Sequence, residues 1–89
     1  MKSYKFKIIG HVQGVYYRVN VQKNAQKSGF SGYVKNLEDR SVEVCVTCSE
    51  SRVDEFKSIL KKGSPKSRVD EIQIQDCDEV FEGEFIIES

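Results

Sequence analysis

An α+β sandwich, two helices laid on one face of a sheet, is the fold class that three features of the sequence predict. Apolar and polar residues alternate in several short runs, the period-2 signature of strands with one covered face. Two other segments space their apolar residues three and four apart, as one side of a helix does. Glycine, proline and turn residues cut the chain so that it reads strand, helix, strand, strand, helix, strand, then a strand-like tail. Two right-handed crossovers in that order give a four-stranded antiparallel sheet with both helices on one face. That is the ferredoxin-like βαββαβ sandwich, here with a short C-terminal edge strand.

Each element has its own justification. The first strand covers residues 3–12, where Tyr4, Phe6 and Ile8 alternate with Ser3, Lys5 and Lys7. The first helix covers 18–28, preceded by Tyr17 and carrying Val21, Ala25 and Ser28 on the same side. Gly29 ends it in a left-handed conformation, with Phe30 as the apolar residue that covers the end. A second strand runs from Ser31 to Leu37, and a turn at Glu38-Asp39-Arg40-Ser41 leads into the third. There Val42, Val44 and Val46 share a covered face, while Glu43, Cys45 and Thr47 face water. The second helix starts near Ser51, paired with Asp54 in a capping pattern, and buries Val53, Phe56, Ile59 and Leu60. Lys61 and Lys62 suit its negative end, Gly63 stops it and Pro65 prevents continuation. A fourth strand turns Ile72 and Ile74 inward and Gln73 and Gln75 outward, and Phe85-Ile86-Ile87 make the edge strand.

These elements occupy 89 residues without repeat, low-complexity tract or linker, which predicts one domain over residues 1–89. Lysine plus arginine number 14 and aspartate plus glutamate 14, a balance that does not favour a polyanion or an acidic membrane surface as partner. No apolar run approaches the roughly 20 residues that span a bilayer, and the N-terminus lacks a signal-peptide core. The three cysteines cannot all pair within one chain and are expected as reduced thiols. A cytoplasmic protein is expected from these features, and a monomer is expected beside it. Cys45 and Cys48 form a C-x-x-C, but that spacing on a strand sends the thiols to opposite faces. Cys48 is expected to be buried and Cys45 to be a surface thiol rather than half of a metal or redox pair. No His, Asp and Glu cluster has metal-ligand spacing, so no cofactor and no metal are expected; His11, the single histidine, reads as an exposed strand residue.

The junction Gly10-His11-Val12-Gln13-Gly14-Val15-Tyr16-Tyr17-Arg18 carries the chemistry. A short loop holding Gly14 joins strand to helix and delivers an arginine in the helix's first turn. The first four amides of a helix lack internal partners and together carry about half a positive charge. Glycine lets the backbone curl so that several N–H groups converge, and a guanidinium completes a cradle for a tetrahedral anion such as phosphate.

The wording of that stretch resembles the acylphosphatase signature G-x-V-Q-G-V-x-F-R, matching at Gly10, Val12, Gln13, Gly14, Val15 and Arg18, with Tyr17 in place of the usual Phe. A second run, Gly32-Tyr33-Val34-Lys35-Asn36, resembles the family's G-x-V-x-N, whose asparagine is catalytic. Asp39 and Val42 match the turn that follows; Arg40 and Cys48 stand where the family usually has glycine. Arg40 is expected to relax the hairpin to a type that needs no positive φ there.

The resemblance implies the same sandwich fold and the hydrolysis of acyl phosphates to a carboxylate and inorganic phosphate. It assigns catalysis to Arg18 and Asn36, and phosphoryl binding to the backbone amides of Gln13, Gly14, Val15, Tyr16, Tyr17 and Arg18. Tyr16, Tyr33, Leu37 and Arg40 are candidates for the acyl side of the pocket. The alternative on the same fold is a non-catalytic module for single-stranded nucleic acid, which would need aromatic residues exposed on the central strands. The third strand offers none.

Overall fold

The strand runs read from alternation are the strands of the computed structural model, which describes residues 1–88. They are β1 (Lys2–His11), β2 (Ser31–Asn36), β3 (Val42–Cys48), β4 (Arg68–Cys77) and β5 (Phe85–Glu88), in one sheet of order β4-β1-β3-β2-β5. The first four pair antiparallel, and the tail joins at the edge, parallel to β2. Helices α1 (Tyr17–Lys27) and α2 (Val53–Lys62) pack on the inner face.

Phe56 of α2 is the hub of the core, with ring centroids of Phe30, Phe6 and Phe85 at 5.0, 5.6 and 5.9 Å. Around it Ile8, Val34, Val42 and Val44 from the sheet and Val21 and Ala25 from α1 are fully covered. The end of α1 follows expectation. Phe30 N–H reaches Ala25 O and Gly29 N–H reaches Gln26 O, the paired bonds of a Schellman stop, with Phe30 buried beneath. Arg52 ties the two helices together: it donates to Ser28 O at 2.9 Å and lies over the Phe30 ring at 4.1 Å.

Four expectations need correction. The Ser51–Asp54 cap does not form, because a 3₁₀ turn at Glu50–Arg52 runs directly into α2 and places Ser51 inside the turn. Ile74 is on the inner face opposite Phe6 but stays 46% exposed, since β4 is an edge strand and the groove between it and α2 remains open.

The outer face is not uniformly wet either. Residues 78–84 cross it from β4 to β5: Phe81 N–H donates to Thr47 Oγ1 at 2.9 Å, and the Phe81 ring meets Tyr33 edge-on at 5.5 Å. Cys45 is consequently buried rather than a surface thiol. Its S–H donates to Tyr33 Oη at 3.1 Å, and that hydroxyl donates to Glu43 Oε2 at 2.7 Å. Burial pushes the Cys45 thiol up to about 11.

Arg40, finally, does take the glycine-like conformation, with φ 74°. The turn is pinned around it: Leu37 N–H bonds Ser41 O at 2.9 Å, and Asp39 accepts from Ser41 N–H at 3.0 Å and from the Ser41 hydroxyl.

Candidate active site

Between β1 and α1 the backbone makes two left-handed steps, at Gly14 (φ 74°) and at Tyr16 (φ 64°), the residue that caps α1. No side chain caps this helix, and its first turn holds no acid. The first backbone bond of the turn runs from Asn20 N–H to Tyr16 O at 3.2 Å, and the Asn20 side chain holds the same carbonyl at 2.9 Å. Among the described residues, no backbone or side-chain bond engages the N–H groups from Gly14 to Arg18. Those of Tyr16, Tyr17 and Arg18 are orphan amides of a helix start, and those of Gly14 and Val15 belong to the loop before it.

A cleft of about 420 Å³ lies there, lined by Val12, Gly14, Tyr16, Tyr17, Arg18, Val19 and Asn36. Arg18 is the one charged residue in that lining; no carboxylate faces it. None of the ion pairs among the described residues uses Arg18, although it is half-buried. A cation at the positive end of a helix opposes the local dipole, so its free energy improves when an anion joins it.

Asn36 ends β2 and brings its carboxamide to the same cleft. Its Oδ1 is buried and has no hydrogen-bond partner among the described residues. Buried acceptors are nearly always paired, and leaving one unpaired costs about 1–3 kcal/mol.

The residues expected to bind phosphoryl oxygens divide into two groups. Gly14, Tyr16, Tyr17 and Arg18 border the cleft. Gln13 and Val15 do not, and their contacts brace the loop instead. The Gln13 amide donates to Leu37 O at 2.8 Å and Ser41 O at 2.9 Å, clamping the neck of the β2–β3 turn just beyond Asn36. One side chain thereby sets the spacing between the amide loop and the carboxamide. Tyr17 turns its ring into the core, where burial raises its phenol pKa and its hydroxyl donates to Leu60 O at 2.8 Å. That hydroxyl satisfies a carbonyl left open at the end of α2, which gives a reason for tyrosine here.

Of the acyl-side candidates, only Tyr16 lines the cleft. It is 77% exposed beside Val19 at 51%, one helical turn on. Tyr33 belongs to the outer face, and Leu37 and Arg40 belong to the turn. His11 is exposed outside the cleft, opposite Arg68 at the end of β1. Val19 is the lining residue that the sequence motifs do not mark; its i, i+3 spacing from Tyr16 is the signal that could have found it. Among the described residues no cluster of three or more His, Cys, Asp or Glu is placed to hold a metal ion. None of their helices is long and apolar enough to cross a membrane.

Comparison with known proteins agrees with this picture. The family model described as Acylphosphatase matches residues 4–87. An acylphosphatase of Aliivibrio fischeri is 43% identical over 72 residues, covering 81% of this chain and 80% of that protein. One from Deinococcus radiodurans is 39% identical over 80 residues, covering 90% and 92%. The crystal structure of acylphosphatase from Bacillus subtilis superposes with a TM-score of 0.89 at 35% identity, covering both chains fully. Neither these relatives nor the outer face, where the Tyr33 ring is buried, favours the nucleic-acid alternative. On the matched length, the identities and the superposition, the chain belongs to the acylphosphatase family.

Proposed function

We propose that the cleft shared by Arg18 and Asn36 is where this acylphosphatase works. The enzyme hydrolyses the mixed anhydride of a carboxylic and a phosphoric acid: water attacks phosphorus, the P–O bond to the acyl oxygen breaks, and a carboxylate leaves. A carboxylate with a conjugate acid near pKa ~4 departs without a general acid. Catalysis then reduces to holding the phosphoryl group and aiming the water.

The free N–H groups of Gly14, Tyr16, Tyr17 and Arg18 and the forked guanidinium of Arg18 take the phosphoryl oxygens, whose charge spreads in the transition state. The Asn36 carboxamide holds the attacking water and lines its oxygen up with phosphorus. An amide is too weak a base to remove the proton, which passes to a phosphoryl oxygen and leaves with the inorganic phosphate. Tyr16 and Val19 give the acyl group an apolar rest. Every group in this scheme comes from one chain, so we read the enzyme as acting as a monomer.

The observation that carries the reading is a single cleft whose lining brings Asn36 together with Arg18, its one charge. Steady-state hydrolysis of benzoyl phosphate tests it. Wild type turns over, Arg18→Ala loses both affinity and rate, and Asn36→Ala loses rate while inorganic phosphate still inhibits. Full activity in either variant removes that residue from the mechanism.

A further inference from the structure

The turn that follows α2 lies outside the cleft, yet it holds the cleft's loop from behind. Ser64 is buried, and its hydroxyl donates to Val15 O at 2.6 Å. It has little freedom to do otherwise. Its N–H is fixed by Ser67 Oγ at 2.9 Å, and the Ser67 hydroxyl in turn donates to Ser64 O at 2.9 Å. Gly63 lets this turn close on the loop, because a Cβ there would sit 2.6 Å from Tyr17 Cε1.

A trans peptide unit is planar, with its C=O and N–H directed to opposite sides. Val15 O and Tyr16 N–H belong to one such unit. With the carbonyl fastened on the core side by Ser64, the Tyr16 N–H is turned to the other side, where Tyr16 borders the cleft. Tyr16 also carries φ 64°, sparsely populated for a residue with a Cβ. A flip of this peptide would return Tyr16 to negative φ and swing a carbonyl oxygen toward the phosphoryl site. Backbone preference thus favours the wrong orientation, and the Ser64 hydroxyl opposes it.

We propose that Ser64 is a positioning residue for the phosphoryl cradle, holding the Val15–Tyr16 peptide so that its N–H rather than its carbonyl faces the substrate. The inference rests on the reading that this loop binds phosphoryl oxygens. Losing one such hold, about one hydrogen bond's worth, shifts binding by roughly tenfold.

The test compares wild type with Ser64→Ala and Ser64→Thr, measuring benzoyl phosphate kinetics, the inhibition constant of inorganic phosphate and the thermal midpoint. Ser64→Ala is expected to raise KM and the phosphate inhibition constant together by about tenfold, with a smaller effect on kcat. Ser64→Thr keeps the hydroxyl and restores both constants toward wild type. A Ser64→Ala that melts earlier but keeps both constants overturns the inference and leaves the functional reading intact. A wild type that neither turns over nor binds phosphate overturns both. Should Ser64→Ala not fold, the wild-type Tyr16 amide resonance decides. It is expected to move downfield during a phosphate titration, and its silence while phosphate binds sinks the proposal.

Discussion

Arg18 and Asn36 do different work, and substitutions should separate them. Arg18 binds in both ground and transition states, so even Arg18→Lys, which keeps the charge but loses the fork, is expected to raise KM and lower kcat together. Asn36 acts on the water, so Asn36→Ala is expected to lower kcat by about 30–900-fold, a barrier increase of about 2–4 kcal/mol, with phosphate inhibition retained. Steady-state kinetics with phosphate as inhibitor reads both. These two residues were legible in the sequence because motif spacing fixed them to a helix start and a strand end. The bracing roles of the Gln13 side chain and the Val15 carbonyl were not. A motif shows that a residue belongs to the loop, while the partner it reaches lies 24 positions away for Gln13 and 49 for Val15. Cys45 misled for a similar reason: alternation placed it on the outer face, but only the folded chain shows residues 78–84 lying over that face.

The β2–β3 turn shows how an element accommodates an awkward residue. Arg40 holds φ 74° where a left-handed conformation costs a Cβ-bearing residue about 1–2 kcal/mol. The bonds from Gln13, the Asp39–Ser41 contacts and the Lys7–Asp39 ion pair at 2.8 Å fix the turn around it. Reading the sequence as a relaxed turn failed because these contacts outweigh the local preference of arginine. Arg40→Gly is therefore expected to stabilise the protein by about 0.5–1 kcal/mol, a rise of roughly 2–8 °C in thermal midpoint.

The Asp39 carboxyl is held well below its ordinary range, first by Lys7 and then by the Ser41 hydroxyl and N–H. A depressed folded-state pKa contributes stability above the unfolded value, near ~3.9, and loses it as pH falls through the folded one. Melting between neutral pH and strong acid should therefore show a steeper acid fall in wild type than in Asp39→Asn. Equal acid limbs would remove Asp39 from the account. At the other helix the Ser51 cap failed on the same scale, since a 3₁₀ turn took the place of the expected start.

At the scale of the whole molecule, the order of elements and the inner face of the sheet were readable from period and punctuation alone. Covered inner-face positions recur along β1 at Tyr4, Phe6 and Ile8, whereas β3 is covered on both faces from Val44 to Cys48. What pattern could not supply was the parallel seat of β5, which depends on a crossover of the outer face, and the half-open groove beside β4. The core itself hangs on one ring. Phe56→Ala is expected to cost about 3–5 kcal/mol, a large part of the 5–15 kcal/mol typical of a domain, and denaturant unfolding would measure it. A loss below 1 kcal/mol would show that the three rings around Phe56 repack without it.

The fold exists, on this account, to hold an amide loop and a carboxamide at a fixed separation. A crystal structure of the protein with phosphate bound tests that claim most directly. Phosphate is expected in the bend between β1 and α1, its oxygens on the amides of Gly14, Tyr16, Tyr17 and Arg18 and on both arms of the Arg18 guanidinium, with a water between phosphorus and the Asn36 carboxamide. Phosphate bound elsewhere, with the bend empty and Arg18 turned away from Asn36, would contradict it.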